Sequence, residues 1–193
     1  ACVDSTNTVY MTLSAITKTT SPWVAGSGVG GLDTGGVTAS TWYHFYVIRR
    51  PDTGARDVIF SLSASAPTLP ANYTQYRRIG SMRTSGTNLW ELFTQEGDFF
   101  QWIAPDIELF NPSTTPTLRT VTRVPLGIVV MSRAAVQISD SGGALNVVYH
   151  WNPALGSTLP GLPGVVNVFV NDPVSQGYTT TIDTLTNTSQ QIY

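Results

Sequence analysis

The stretch Thr41–Ser63, TWYHFYVIRRPDTGARDVIFSLS, decides the fold. In its first arm, Trp42–Arg49, aromatic and β-branched residues occupy both alternating faces, which predicts a strand that is covered on both sides. The segment Pro51–Gly54 predicts a tight turn, because proline presets φ, aspartate bonds its own backbone and glycine tolerates positive φ. The second arm, Asp57–Leu62, returns with β-branched and aromatic residues. The stretch therefore predicts a central β-hairpin.

Outward from this hairpin, short apolar segments alternate with Gly-, Pro- and Ser-rich turns, and no segment keeps helical spacing over three turns. The further predicted strands are Val9–Ile16, Tyr76–Arg83, Leu89–Gln95, Phe99–Ile103, Leu118–Val124, Ile128–Ile138, Leu145–Trp151, Val165–Val170, Tyr178–Asp183 and Gln190–Tyr193. Loops are expected at Ser21–Gly36, Ala64–Tyr73 and Asn152–Gly164. The pattern predicts an all-β fold, an antiparallel, jelly-roll-like β-sandwich of about ten short strands with little or no helix. We expect residues 1–193 to form a single domain.

The composition excludes several classes of function. Hydrophobic residues make up 41% of the chain, but charged residues only 11%, where soluble domains usually carry about 25%. The surface must then be rich in Ser, Thr, Asn and Gln, which favours subunit contacts or a neutral polar ligand. A net charge of −2 with no basic run argues against nucleic-acid binding, and no stretch is apolar enough to insert in a membrane. The single cysteine, Cys2, excludes an internal disulfide and a Cys-rich zinc site.

The sequence allows two catalytic interpretations, and both are weaker than the structural alternative. Asp140–Gly143 is similar to the Asp-Ser-Gly-Gly of trypsin-like proteases, with Ser141 as nucleophile, His44 upstream and Asp98 or Asp106 between them. However, His44 lies within a predicted strand, and a turn between two strands explains the same four residues. The second interpretation is a glycosidase pair drawn from the acidic residues. These are Glu91, Glu96, Asp98, Asp106 and Glu108.

We expect the acidic residues to be structural: Glu96 and Asp98 as solvated turn residues, and Glu91 as the half-buried partner of an arginine. His44 and His150 lack a third ligand, so neither a metal nor another cofactor is expected, and the chain is predicted not to be an enzyme.

Aromatic residues in or beside loops suggest a different kind of site. An aromatic ring packs against the C–H face of a sugar, while nearby amides and hydroxyls bond the sugar hydroxyls. The residues that fit a neutral glycan site are Trp23, Tyr73, Trp151, Asn152 and Tyr178. The alternative for each ring is a place in the core or in a subunit interface.

A resemblance to bacteriophage tail-fibre and tail-associated structural proteins covers most of the chain and is densest from Gly31 to Trp102. The segments that carry it are Gly31–Gly35, Ala39–Ile48, Asp52–Gly54, Phe60–Thr74, Arg78–Ser81, Phe93–Asp98 and Thr186–Ile192. A looser likeness joins Thr41–His44 to concanavalin-like and laminin-G-like glycan-binding modules, but the return strand Asp57–Ser61 lacks their glycine.

The phage resemblance implies a virion protein of the tail or of a surface spike, folded in the host cytoplasm, with no catalytic residues. It implies the distal β-sandwich domain of a longer fibre or spike. The implied partners are further copies of the chain in a homotrimer, other virion proteins and a host cell-surface polysaccharide. The alternative of another class is a structural capsid, tail or decoration subunit whose polar surface is buried in the assembly.

Overall fold

The computed structural model describes residues 2–3, 8–10, 12–105, 117–139, 146–148, 152–156, 168–170 and 177–193. The chain divides into two compact units, Ala1–Pro105 and Asp106–Tyr193. This division does not test whether the two units fold together, so the single domain over residues 1–193 stays a prediction.

The described residues form fifteen strands and one short 3₁₀-helix. The strands are β1 (Cys2–Val3), β2 (Thr8–Val9), β3 (Lys18–Pro22), β4 (Val29–Leu32), β5 (Trp42–Arg49), β6 (Arg56–Ser61), β7 (Gln75–Arg83), β8 (Phe93–Glu96), β9 (Phe99–Trp102), β10 (Arg119–Thr120), β11 (Met131–Ser139), β12 (Asn146–Val148), β13 (Val168–Val170), β14 (Gly177–Leu185) and β15 (Gln191–Ile192). The 3₁₀-helix is Pro153–Leu155. The prediction of an all-β fold is confirmed, whereas the arrangement of the sheets as a sandwich stays a prediction.

The first unit is built on a seven-stranded sheet of order β2-β1-β7-β5-β6-β4-β3. The predicted hairpin lies at its centre, with β5 and β6 antiparallel and Phe45 opposite Phe60. Arg50 N–H donates to the carbonyl of Ala55 at 2.9 Å, and Gly54 takes a φ of 71°, so the turn uses its glycine as expected. β7 pairs with the other side of β5, which places the hairpin's first arm between two neighbours.

Both faces of β5 are covered by the chain itself, which confirms the predicted two-sided burial. On one face Tyr46, Ile48, Ile59 and Tyr73 form a buried cluster. On the other face Tyr43, Phe60 and Leu32 form a second one, against which Phe45 and Trp90 pack. Successive residues of a strand point to opposite faces, so one aromatic strand supplies both clusters.

The glycine-rich segment was predicted to be a loop, and this was wrong. It contains β4, which pairs in parallel with both β3 and β6, so the sheet is mixed and not purely antiparallel. The physical reason is close approach, since a Cβ at Gly30 would lie 1.9 Å from the carbonyl oxygen of Pro22. The long first strand Val9–Ile16 was also wrong, because β2 ends at Val9 and residues 12–17 are irregular.

Next to the sheet, β8 and β9 form an antiparallel hairpin. β8 begins at Phe93, so the predicted strand Leu89–Gln95 is shifted, and Trp90 makes only an isolated bridge to Thr84. The predicted turn between β8 and β9 is present, with Gly97 at a φ of 58°.

The second unit contains a long antiparallel ribbon of β11 and β14, paired from Met131 opposite Leu185 to Ser139 opposite Gly177. Two shorter antiparallel pairs, β10–β15 and β12–β13, accompany it among the described residues. The predicted strand Leu118–Val124 shortens to β10, and the expected loop from Asn152 contains the 3₁₀-helix.

Candidate functional site

Trp23 and Tyr73, two of the predicted glycan-binding residues, lie together at the edge of the core. Their ring centroids are 5.5 Å apart in an edge-to-face arrangement. Tyr73 is only 7% exposed and belongs to the cluster of Tyr46, Ile48 and Ile59, while Trp23 packs against that cluster half-buried. Burial raises the pKa of the Tyr73 hydroxyl. This packing gives both rings a structural role, and glycan binding by them stays a prediction.

The structure does not bring the other predicted binding residues to these two. Asn152 caps the 3₁₀-helix, since its Oδ1 accepts a hydrogen bond from the N–H of Ala154 at 2.9 Å. Tyr178 lies in β14 opposite Ile138. Trp151 lies outside the described residues. The structure therefore describes only some of the predicted glycan-binding residues and does not bring all of them together.

Those candidate catalytic residues that the structure describes have structural roles. His44 is 1% exposed and shares a hydrogen bond of 2.9 Å between its Nδ1 and the Ser81 hydroxyl. Glu91 pairs with Arg83 at 2.7 Å, which confirms the predicted half-buried ion pair. Glu96 and Asp98 are both exposed on either side of the Gly97 turn, as predicted. Ser141, His150, Asp106 and Glu108 lie outside the described residues.

A buried ion pair, which the sequence did not indicate, joins β3 to the central hairpin. Lys18 Nζ lies 2.9 Å from Asp57 Oδ1, and the side chains are 4% and 1% exposed. The ammonium also donates to the carbonyls of Val24 and Gly26, both at 2.8 Å. Asp57 in turn accepts from the backbone N–H of Gly26 at 3.0 Å. With every donor of the ammonium bonded, this pair is a structural clamp.

An open cleft of about 640 Å³ in the first unit has a lining suited to binding a ligand. It is lined by Val9, Tyr10, Thr12, Arg49, Gly54 and Arg56. Tyr10 is 85% exposed, the highest value among the exposed large hydrophobic and aromatic side chains that the structure describes. An exposed ring beside two guanidinium groups combines a stacking surface with strong hydrogen-bond donors.

The hairpin register places the two arginines side by side. Arg49 and Arg56 are directly opposite each other in β5 and β6, so their side chains leave the same face of the sheet. Arg49 Nη1 donates to Gln75 Oε1 at 2.6 Å, and Arg56 Nη1 donates to the carbonyl of Thr12. Both guanidinium groups are thus positioned by neutral acceptors.

Only some of the described arginines lie next to a carboxylate. Arg50, Arg83 and Arg133 each pair with a carboxylate at 2.7 Å. In the described part of the chain, no carboxylate pairs with Arg49 or Arg56. Like charges placed directly opposite in a sheet repel each other. The cleft therefore holds two adjacent positive charges that no described anionic group neutralises.

The sequence contained a partial signal for this pair. Arg49 and Arg56 are equally distant from the centre of the Asp52-Thr53 turn, so the hairpin prediction already implied that they face each other. Tyr10 gave no such signal, because it was assigned to a regular strand.

Comparisons of the chain with protein-family models, with curated proteins and with solved structures find no match. Within the described residues, no group of three or more His, Cys, Asp or Glu side chains is placed to hold a metal ion. The described segments also include no helix of the length and hydropathy that crossing a membrane requires.

Proposed function

We propose that this chain is a virion protein of a tailed bacteriophage, a domain of a tail fibre or surface spike that binds a host cell-surface glycan without catalysis. The observation that carries the proposal is the open cleft, which is lined by the exposed Tyr10 and by two arginines whose hydrogen bonds within the described residues go to neutral groups. Sugar recognition needs this combination of an aromatic surface and convergent polar donors. The resemblance of Gly31–Asp98 to phage tail proteins supplies the biological setting. A jelly-roll-like sandwich and a homotrimer in the virion, folded in the host cytoplasm, belong to the same proposal.

The test is a glycan array of bacterial surface polysaccharides, followed by titration of any positive glycan in solution. We expect saturable binding that Tyr10→Ala weakens, because the ring that packs on the sugar is lost. The matched control is Tyr76→Phe, in which a tyrosine packed beside the core keeps its ring. Binding that Tyr10→Ala leaves unchanged would move the site away from the cleft, and failure to bind any glycan would overturn the proposal.

A second candidate function, a structural subunit of the capsid or tail, is favoured by the apolar surface around β8 and β9. Leu92 is 72% exposed, and Phe99 and Ile103 are 51% and 59% exposed. Exposed apolar groups close to one another in the fold mark surfaces that are covered by another protein. Leu92 and Ile103 are such neighbours, since Ile103 N–H donates to the Leu92 carbonyl at 3.1 Å.

This alternative is tested by light scattering across a dilution series. A structural subunit should form an assembly that Leu92→Ser with Ile103→Ser dissociates, while the fold is retained. A wild-type chain that stays monomeric at the highest concentration would count against both the homotrimer and the structural role.

A further inference from the structure

We infer that the cleft between Tyr10, Arg49 and Arg56 is a subsite for an acidic sugar, one that carries a carboxylate such as a uronic acid. The inference rests on the proposed glycan-binding function and specifies the chemical class of the glycan. It changes the expectation from composition, which pointed to a neutral ligand.

The first argument is the placement of charge. The whole chain has only ten Lys and Arg residues, yet two of them stand directly opposite each other on adjacent strands. A bound anion would convert this repulsion into two attractive interactions. The chain neutralises Arg50, Arg83 and Arg133 with its own carboxylates, but within the described residues it places none beside the two arginines of the cleft.

The second argument is preorganisation. Arg49 is held by Gln75, which is itself only 2% exposed, and Arg56 is held by the backbone of Thr12. Each of these bonds uses one of the five N–H donors of a guanidinium, so donors remain for a ligand. A guanidinium whose position is already fixed loses less conformational entropy when it binds a planar carboxylate.

The third argument is the shape and lining of the cleft. A volume of about 640 Å³ is within the range of small-ligand sites, and the cleft is open to solvent. Gly54 forms part of the lining, and a Cβ there would approach Arg49 Nη2 to 3.8 Å. The glycine therefore leaves space beside the guanidinium, and the exposed Tyr10 offers its ring to the C–H face of the sugar.

The experiment compares a tetramer of galacturonic acid with its carboxyl-reduced counterpart, a neutral galactose tetramer of the same linkage, by isothermal titration calorimetry at low and at moderate salt. A sulfated tetrasaccharide is the third ligand and distinguishes a carboxylate from a general anion. The variants are Arg49→Gln, Arg56→Gln and Arg56→Lys. The matched control is Arg78→Gln, which removes one positive charge from the opposite face of the same sheet, where Arg78 faces Tyr46.

We expect the uronic acid tetramer to bind and the reduced tetramer to bind at least about tenfold more weakly, since a charge-assisted hydrogen bond contributes that much or more. Each Gln variant should weaken binding by about tenfold or more, Arg56→Lys should restore part of the loss, and Arg78→Gln should have little effect. The Gln variants should also lose the preference for the acidic over the neutral tetramer, which a merely structural change would not remove.

The outcomes separate the two proposals. Equal binding of the acidic and neutral tetramers, or binding that both Gln variants leave unchanged, would overturn the acidic subsite while leaving glycan binding in place. Tighter binding of the sulfated sugar than of the uronic acid would overturn the assignment to a carboxylate. Failure of every glycan, including those on the array, would overturn the proposed function and the inference with it.

Discussion

Replacing Lys18 by methionine tests whether the buried ion pair holds β3 against the central hairpin. Methionine keeps a long apolar side chain but removes the ammonium that bonds Asp57 and the carbonyls of Val24 and Gly26. Asp57, which is 1% exposed, would retain only the N–H groups of Gly26 and Val58 as partners. Removing one member of a buried pair leaves an uncompensated charge, which destabilises a protein by about 3–5 kcal/mol. We expect a loss of that size in the free energy of unfolding.

The assay is urea unfolding followed by tryptophan fluorescence, with Asp57→Asn and the double variant completing a double-mutant cycle. Because the double variant leaves no buried charge, it should be less destabilised than the sum of the single variants. The matched control is Arg50→Gln, which breaks an exposed pair of similar length, 2.7 Å to Asp52, and should move the midpoint little. A loss below about 1 kcal/mol for Lys18→Met, or additive effects in the cycle, would refute the stabilising role of the Lys18–Asp57 ion pair.

Three further predictions concern close packing and titration. Gly30→Ala should destabilise the first unit by about 3 kcal/mol or more in urea unfolding, because its Cβ would meet a backbone oxygen at 1.9 Å, whereas Gly80→Ala, with nothing within 4 Å, should be nearly neutral. Burial raises the pKa of Tyr46 to about 12. Its contribution to stability is therefore full below pH 10 and is lost as the pH rises towards 12, and absorbance at 295 nm should show a late-ionising tyrosine that Tyr46→Phe removes. The hydrogen bond from the neighbouring guanidinium lowers the pKa of Asp52 from 3.8 to about 2. Because this pair is exposed, Asp52→Asn should lower the unfolding midpoint only slightly at pH 6, and that small difference should disappear as the pH falls from about 4 to about 2.

The hairpin of β5 and β6 could be predicted from sequence because all of its signals are local. Alternation, β-branched residues and a turn of defined chemistry lie within one short stretch, and each favours the same structure. Strand β4 could not be predicted, because glycine is a poor strand former by itself. Gly30 and Gly31 are there because neighbouring backbone and the Phe60 ring come too close for a side chain, which only the fold reveals.

The environment of the predicted glycan-binding residues also depends on contacts that the sequence does not reveal. Aromatic residues near loops were chosen by their neighbours in sequence, but Trp23 and Tyr73 pack on the core through contacts distant in the chain. The cleft depends on three separate segments, since Tyr10 lines it together with a pair of arginines roughly forty residues further along the chain. Sequence could predict that Arg49 faces Arg56, but not that Thr12 and Gln75 would bond them in place of carboxylates.

The position of β3 at one edge of the seven-stranded sheet bears on how copies of the chain can associate. An edge strand with free N–H and C=O groups is a template on which another chain can add a strand. β3 ends in Pro22, which has no N–H to donate, and the head group of its only lysine is turned inward to Asp57. Sheet extension through this edge is therefore disfavoured, so any association of copies by continuous hydrogen bonding would have to use a different strand.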